Sequence, residues 1–384
     1  MSDRSRTPRQ AGDDADEPQQ QQDVQADSDD DIIHFPWQQG QILDSRYRVE
    51  DLLGDGAFGR VLRATDLQDE AGVSLKVIRD VERYRENAMI EAKILSDIRE
   101  ADPNRTSYCV MMSDTFVHRG VYFVMVCELL GDSLYDFLKW NGFRGFWLQD
   151  IQNFAKQSLK ALKFLHDLSL THTDLKPENI LLQSREVALV SVFPRSEFQP
   201  PSDRYANLPY ARPASNAIKL IDFGNATYVD MHHSSIIQTR QYRSPEVILQ
   251  MGWSEKADIW SLGCILFELY TGSVLFDTHH SPEHLGLIDR ILGPFPSTML
   301  ARAGDKAKKR FLAPSGKRLL WPEAAESPES ERYVFQQWSL ENRAPQDHQA
   351  FVAFVRDLLI HDPSMRPEAA VALSSEFFNQ EYKE

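Results

Sequence analysis

The chain has 384 residues, 42% of them hydrophobic and 26% charged, which are ordinary proportions for a folded enzyme and enough length for one large bilobal unit or two domains. Its formal net charge of −15 excludes a general nucleic-acid binder, which would carry a basic footprint, and suits either a basic partner or simple solubility. Cys109, Cys127 and Cys264 are far apart, no apolar run approaches the roughly 18 residues of a membrane span, and no apolar segment opens the chain. The expectation is a soluble intracellular protein with neither a cysteine zinc site nor a disulfide framework.

Residues 1–34 set three arginines against ten acidic residues, a net charge of −7, and are poor in large apolar side chains. Such a composition cannot bury enough surface to offset chain entropy and predicts a disordered acidic, Gln-rich tail. Within it, Arg4-Ser5-Arg6-Thr7-Pro8-Arg9 reads as solvated tail, or as a phosphosite or sorting signal. Folded structure is expected from Phe35 or Trp37, with a first strand at 46–51. The glycine run Gly54-Asp55-Gly56-Ala57-Phe58-Gly59 leads through Arg60 into Val61 and a strand-like stretch. A dinucleotide-binding motif would open a helix there, so a strand–glycine turn–strand hairpin is the better reading. Glycines let that backbone approach phosphates without a Cβ clash.

Residues 73–78 form a strand with one lysine, Lys76, among apolar residues. A lysine there can snorkel; after a glycine hairpin it is placed to face nucleotide phosphates. A helix follows at 84–98, its core-like positions taken as Ala88, Ile90, Ala92, Ile94, Leu95 and Ile98. Glu91 among them either points to solvent or needs a partner, for which Lys76 is the candidate. Residues 121–127 form a buried strand broken by Glu128-Leu129-Leu130-Gly131, a hinge able to offer backbone hydrogen bonds to an adenine. Cys127 behind it reads as a small buried hydrophobe.

An amphipathic helix at 147–167 ends at the central stretch, His172-Thr173-Asp174-Leu175-Lys176-Pro177-Glu178-Asn179-Ile180-Leu181-Leu182. An acid, a base and an amide at fixed offsets, anchored by an apolar strand, are what a catalytic loop presents. Residues 183–217, with five prolines, are longer than a hairpin needs and read as a surface insertion, with a strand possible at 187–193. Ile218–Ile221 is a strand leading into Asp222-Phe223-Gly224. His232-His233 reads as a polar turn, no third ligand being spaced to join them. Residues 255–272 are apolar nearly all round, predicting a buried helix in which Asp258 must be paired, with the catalytic-loop backbone as the expected partner. A helix at 283–293 ends at Gly293, residues 301–345 read as a second insertion, and Arg366 is the expected buried partner of Glu246.

This ordered set (the glycine loop 54–59, Lys76, Glu91, Asp174–Asn179, Asp222–Gly224, Ser244–Glu246, Asp258 and Arg366) resembles the eukaryotic protein kinases from residue 47 to about 380. Within them the chain resembles the LAMMER (Clk-type, dual-specificity) family of the CMGC group, named for Glu-His-Leu-Ala-Met-Met-Glu-Arg-Ile-Leu-Gly. Residues 283–293 agree at seven of those eleven positions, the departures being Gly286, Leu287, Ile288 and Asp289. Thr171–Asp174, Asp222–Thr227, His232–Ser234 and Thr239–Arg243 are also similar to that family.

The resemblance implies an α+β bilobal kinase fold. A small β-rich N-lobe with one main helix would span 47–130 and a larger, mostly α-helical C-lobe 131–380. It implies ATP and Mg²⁺. Gly54, Gly56 and Gly59 would cover the phosphates, and Lys76, oriented by Glu91, would hold two of them. Glu128 and Leu130 would offer hinge backbone groups to adenine, with Leu53, Val61 and Leu181 on its faces. Asn179 and Asp222 would bind magnesium, Asp174 would accept the substrate hydroxyl proton, and Lys176 would stabilise the transferred phosphoryl.

Most regulated kinases carry an arginine before the catalytic acid, answered by a phosphothreonine; Thr173 stands there instead and cannot form that charge pair. The resemblance further implies basic Arg/Ser-rich splicing-factor substrates, tyrosine autophosphorylation, a nuclear (and possible cytoplasmic) location and a monomer, with no direct binding of nucleic acid or membrane. The other readings are a DYRK-like or other CMGC kinase and a pseudokinase scaffold. Residues 283–293 and Thr173 argue against the first, and the full set of catalytic residues against the second.

Overall fold

A computed structural model describes residues 34–195, 209–231 and 234–382. The expected tail and the His232-His233 pair therefore lie outside the described residues, tail residue His34 excepted. The first lobe is a six-stranded antiparallel sheet of spatial order β1-β2-β3-β4-β6-β5. Its strands are β1 Ile42–Leu43, β2 Tyr47–Gly56, β3 Gly59–Asp66, β4 Gly72–Ile78, β5 Met112–His118 and β6 Tyr122–Glu128. β2 and β3 are the two arms of the glycine hairpin, with Gly56 opposite Gly59 in the register. Gly59 is required by its surroundings, because a Cβ there would stand 2.2 Å from the Val77 carbonyl oxygen. Phe35 and Leu43 are buried in the core of this sheet, so the packed chain begins at Phe35, where folded structure is expected, upstream of the kinase-like stretch from residue 47.

Helix α1, Glu82–Ala101, crosses between β4 and β5. It buries Tyr84, Ala88, Glu91, Ala92, Ile94, Leu95 and Ile98, one face at helical spacing. Ile90 corrects the sequence reading: it is 54% exposed, because it falls off that stripe.

The second lobe holds α2 Leu134–Trp140 and α3 Leu148–Asp167, followed by short strands β7 Leu170–Thr171, β8 Ile180–Leu182, β9 Val187–Val190, β10 Tyr210–Pro213, β11 Ile218–Leu220 and β12 Thr227–Tyr228. Helices α4 Pro245–Ile248, α5 Lys256–Thr271, α6 Ser281–Leu292, α7 Ser297–Leu300, α8 Asp305–Phe311, α9 Pro328–Phe335, α10 Gln349–Leu358 and α11 Ala369–Ala372 complete it. In α5 every residue from Ala257 to Tyr270 is buried, the all-round burial that its composition predicts.

The stretch read as a surface insertion, 183–217, is anchored where it is described. Strands β9 and β10 pair as a hairpin, and Tyr210 and Ala211 are buried. Arg212 reaches Asp150 of α3 at 2.8 and 2.9 Å, and Asn141 holds the Ala211 amide and carbonyl, both at 2.8 Å. Residues 301–345 likewise contribute Ala303, Ala307, Phe311, Leu312, Leu319, Val334 and Leu340 to the core. Their apolar residues are scattered along the sequence, and short helices gather them onto one side. Among the described residues, no helix is long and apolar enough to cross a membrane.

Candidate active site

Two strand pairings hold the catalytic loop. Antiparallel β8–β11 places Ile180 opposite Leu220, so Asn179 and Asp222 flank one short ladder, and the Ile221 amide donates to the Asn179 carbonyl at 3.0 Å. The β7–β12 pairing brings the start of the activation segment, the stretch from Asp222 to Glu246, beside Thr171. From below, the fully buried Asp258 of α5 accepts the backbone amides of His172 and Thr173, both at 2.9 Å, and lies 3.1 Å from His166 Nε2. Burial opposes ionisation of Asp258, yet the His166 ring and the His172 amide hold its carboxyl below the ordinary range.

Within the loop, Lys176 Nζ donates to Asp174 Oδ2 at 2.8 Å. The Thr239 hydroxyl and amide donate to Asp174 Oδ1 at 2.7 and 3.2 Å, so both carboxylate oxygens are oriented. Asn179 gives its amide nitrogen to the Asp174 carbonyl at 2.9 Å, which reserves its Oδ1 as an acceptor. Thr173 is 1% exposed with φ of +67°, a backbone state costly for a β-branched residue. Its hydroxyl donates to the Asn225 carbonyl at 2.7 Å, fastening the loop directly to the activation segment.

Across the cleft, Lys76 Nζ donates to both carboxylate oxygens of Glu91 at 2.8 Å and lies 3.5 Å from Asp222 Oδ1. Desolvation would lower the Lys76 pKa, but the charges of Glu91 and Asp222 outweigh it and raise it. For Asp222 burial again opposes charge, and Lys76, His172 and Lys176 overcome it, so the carboxyl is held below its ordinary range. Glu91 is thus a buried partner of Lys76, the alternative of a solvent-facing helix glutamate being excluded. Gly224 packs beneath it, where a Cβ would meet Glu91 Oε2 at 3.4 Å.

Lys76 sits opposite Val61 in the β3–β4 register, with Gly54 opposite Val61 in β2–β3. Gly54 has open space around a built Cβ and Gly56 only one ordinary contact, and neither has a positive φ. Their own chain does not demand glycine, which fits a close approach of phosphate oxygens to that backbone. Leu53 is exposed, and Val61 and Leu181 are half-buried; Leu130 is buried beside the hinge. Asp222 and the Asn179 amide oxygen offer the oxygen donors that magnesium prefers.

At the hinge, the Glu128 amide is taken by the Met111 carbonyl at 3.1 Å, so its carbonyl is the group left for an adenine, and that oxygen already accepts the Ser74 hydroxyl at 3.2 Å. The Glu128 side chain is a strut the sequence reading missed: Lys219 Nζ lies 2.5 Å from Oε1, which also accepts the Met111 amide at 2.8 Å. The signal was present, since Lys219 stands alone in an apolar strand just as Lys76 does. Thr239 was missed as an orienter of Asp174 because no spacing rule ties it to the loop. Cys127 is half-buried and burial pushes its thiol up to about 12, so it is held as a neutral thiol.

The segment 283–293 lies in α6, away from this cleft, and is packing. His284, Leu285, Leu287, Ile288, Ile291 and Leu292 are buried. Gly286 is required because a Cβ would meet the Trp321 ring at 2.8 Å.

Residues 47–378 match the family described as "Protein kinase domain". The chain is 42% identical over 356 residues to serine/threonine-protein kinase AFC3 of Arabidopsis thaliana, covering 91% of this chain and 86% of that protein. It is 40% identical to dual specificity protein kinase CLK1 of Homo sapiens, covering 91% and 69%. Among solved structures, the PF14_0431 kinase domain superposes with a TM-score of 0.82 at 39% identity, covering 90% of this chain and 99% of that one. With the ordered motifs standing in a kinase fold around one cleft, this chain belongs to the protein kinase family, in its LAMMER (Clk-type) branch.

Proposed function

We propose that this serine/threonine protein kinase transfers the γ-phosphoryl of ATP to hydroxyls of basic, Arg/Ser-rich proteins of the splicing-factor type, with autophosphorylation on tyrosine as a secondary activity. The observation that carries the transfer is the Asp174 carboxylate, held between Lys176 and the Thr239 hydroxyl at the end of a loop fixed by Asp258. Phosphoryl transfer is mainly positioning and charge stabilisation. Asp174 orients the acceptor hydroxyl and takes its proton. Lys176 faces the transferring group with its positive charge, and Lys76, fixed by Glu91, holds the phosphates that remain on the nucleotide. Asn179 and Asp222 would hold magnesium, which supplies charge neutralisation at the phosphate oxygens.

The preference for a basic substrate rests on charge. Glu178 is exposed beside the catalytic acid, and desolvation by the surrounding lobe, together with the charges of Asp174 and Asp136, holds its carboxyl above the ordinary range despite the pull of Lys176. An arriving guanidinium would favour the charged form of that carboxyl. Residues beyond the tail carry −8 of the total −15, which attracts cationic peptides at longer range. The KM for an Arg-Ser repeat peptide is therefore expected to rise severalfold between roughly 0.05 and 0.3 M salt at constant kcat, as the Debye length shortens. A salt-insensitive KM, or mapped product sites that follow proline instead of Arg-Ser repeats, would favour the proline-directed reading. A nuclear place of action follows from that substrate class. The basic side chains of α8, with Lys306, Lys309 and Arg310 exposed, are the candidate import patch.

The Thr173 hydroxyl makes a neutral tie to Asn225 where an arginine would need a phosphate. Enzyme treated with a phosphatase is expected to keep at least half of its kcat, by roughly the neutrality of an unused charge pair. Loss of nearly all activity would show that the tie does not substitute for phosphorylation.

A further inference from the structure

Upstream of the first strand, the segment 34–37 is fastened to the glycine hairpin by contacts that the transfer chemistry does not use. Phe35 is 1% exposed and stands edge-on to His118 and Tyr122, with ring centroids 5.6 and 5.0 Å away, inside the small-lobe core. Trp37 is half-buried against the same cluster. The Phe35 carbonyl accepts Arg60 Nη1–H at 2.8 Å. Arg60 lies on the returning arm of the hairpin, opposite Asp55 in the register, and donates Nε and Nη2 to Asp55 Oδ2 at 3.1 and 3.0 Å. His34 lies alongside: Arg79 Nη2 is 2.5 Å from its Nε2, and its Nδ1 is 3.0 Å from Asp55 Oδ1 without the geometry of a hydrogen bond. The same Arg79 nitrogen donates to the Gly56 carbonyl at 3.3 Å.

Asp55 stands between Gly54 and Gly56, so this network grips the part of the hairpin with the greatest backbone freedom. Each tie removes conformations that the tip must otherwise give up when phosphates dock beneath it, and ordering done in advance appears as affinity. We propose that residues 34–37 form a clasp that pre-organises the glycine hairpin for ATP, with Phe35 as its anchor and Arg60 as its link. Both are positioning residues: they act through the hairpin backbone and touch no reacting atom. The clasp also gives whatever precedes residue 34 a mechanical route to the nucleotide site.

The test uses the full chain with ATP and an Arg-Ser peptide. Arg60→Met keeps the side-chain stem and cuts all three hydrogen bonds; it is expected to raise KM for ATP about fivefold while kcat and the peptide KM stay within about twofold. Phe35→Ala, which releases the anchor, should raise KM for ATP by a similar factor, and Phe35→Leu, which refills the core and keeps the carbonyl in place, should restore it. The double variant Arg60→Met/Phe35→Ala should fall short of the product of the two single effects, since both cut the Phe35–Arg60 tie. An unchanged KM for ATP in Arg60→Met overturns the proposal. So do additive effects in the double variant, or kcat and both KM values shifting in step with a lowered Tm, which would mark ordinary packing.

Discussion

Asp174→Asn is expected to lower kcat by about 10²- to 10⁴-fold, the usual worth of a positioned proton acceptor, while the affinity for ATP changes by no more than about twofold. The separation follows from the geometry. The Asp174 carboxylate oxygens go to Lys176 and Thr239, whereas the lysine that holds the phosphates remaining on the nucleotide is Lys76, on the other lobe. The asparagine keeps an oxygen for Thr239 but turns its NH₂ toward Lys176, so it loses the proton acceptor and the charge that seats that lysine. Single-turnover phosphorylation combined with equilibrium nucleotide binding separates the two quantities. An unaltered transfer rate would remove Asp174 from the chemistry, and loss of ATP binding would show that the variant had damaged the cleft itself. Retained binding with abolished transfer also discards the scaffold reading of the wild-type chain, whose catalytic set is complete.

The second large effect is on stability. Arg366 is 2% exposed and donates to both oxygens of Glu246 at 2.7 and 3.0 Å, and to the carbonyls of Lys256, Ile360 and His361 at 2.8, 3.0 and 3.1 Å. Its guanidinium also lies 5.1 Å from the Trp260 ring centroid. Arg366→Met would leave the Glu246 carboxylate buried without its counter-charge, which costs about 3–5 kcal/mol. In a domain of this size that corresponds to a Tm lower by roughly 5–10 °C. Arg318, whose partner Glu323 is equally well bonded but at the surface, provides the internal control, and Arg318→Met should move the Tm little. Adding Glu246→Leu to Arg366→Met removes the stranded charge and should recover part of the loss. A Tm unchanged by Arg366→Met would show that water reaches this pair in solution. Because Glu246 caps the activation segment and Lys256 opens α5, the same pair holds the floor on which Asp258 grips the catalytic loop.

Much of this protein was legible from sequence because catalytic chemistry constrains residue types at short spacings. The loop from His172 to Asn179 is continuous, so its acid, base and amide could be read in place. The glycine hairpin was legible because a strand follows it directly, and α5 because its burial on every side is written in its composition. Lys76 and Glu91 could be paired because Lys76 is the one charge in an apolar strand and Glu91 falls among the core-facing positions of its helix. Residues 283–293 identify the family, yet they pack α6 into the second lobe; a motif can be diagnostic by being a demanding piece of core.

What the sequence could not supply is whatever depends on the distance between residues far apart in the chain. The Ile90 side chain looks like core until the axis of α1 is placed, after which it faces solvent. How residues 301–345 pack is not visible in the sequence, because short helices have to collect their scattered apolar side chains into the core. Lys219 and Glu128, Thr239 and Asp174, and Phe35 and Arg60 are 91, 65 and 25 residues apart, and no local pattern links them. Periodicity and motif spacing report the local environment of a residue, which the chain itself dictates. Long-range partnerships arise only when whole faces are buried together, and it is there that Thr173 gains its tie to Asn225 and the catalytic loop its floor. The loop's chemistry was written in its own residues; its orientation is the work of Asp258, Thr239 and the activation segment, brought to it by the packing of the fold.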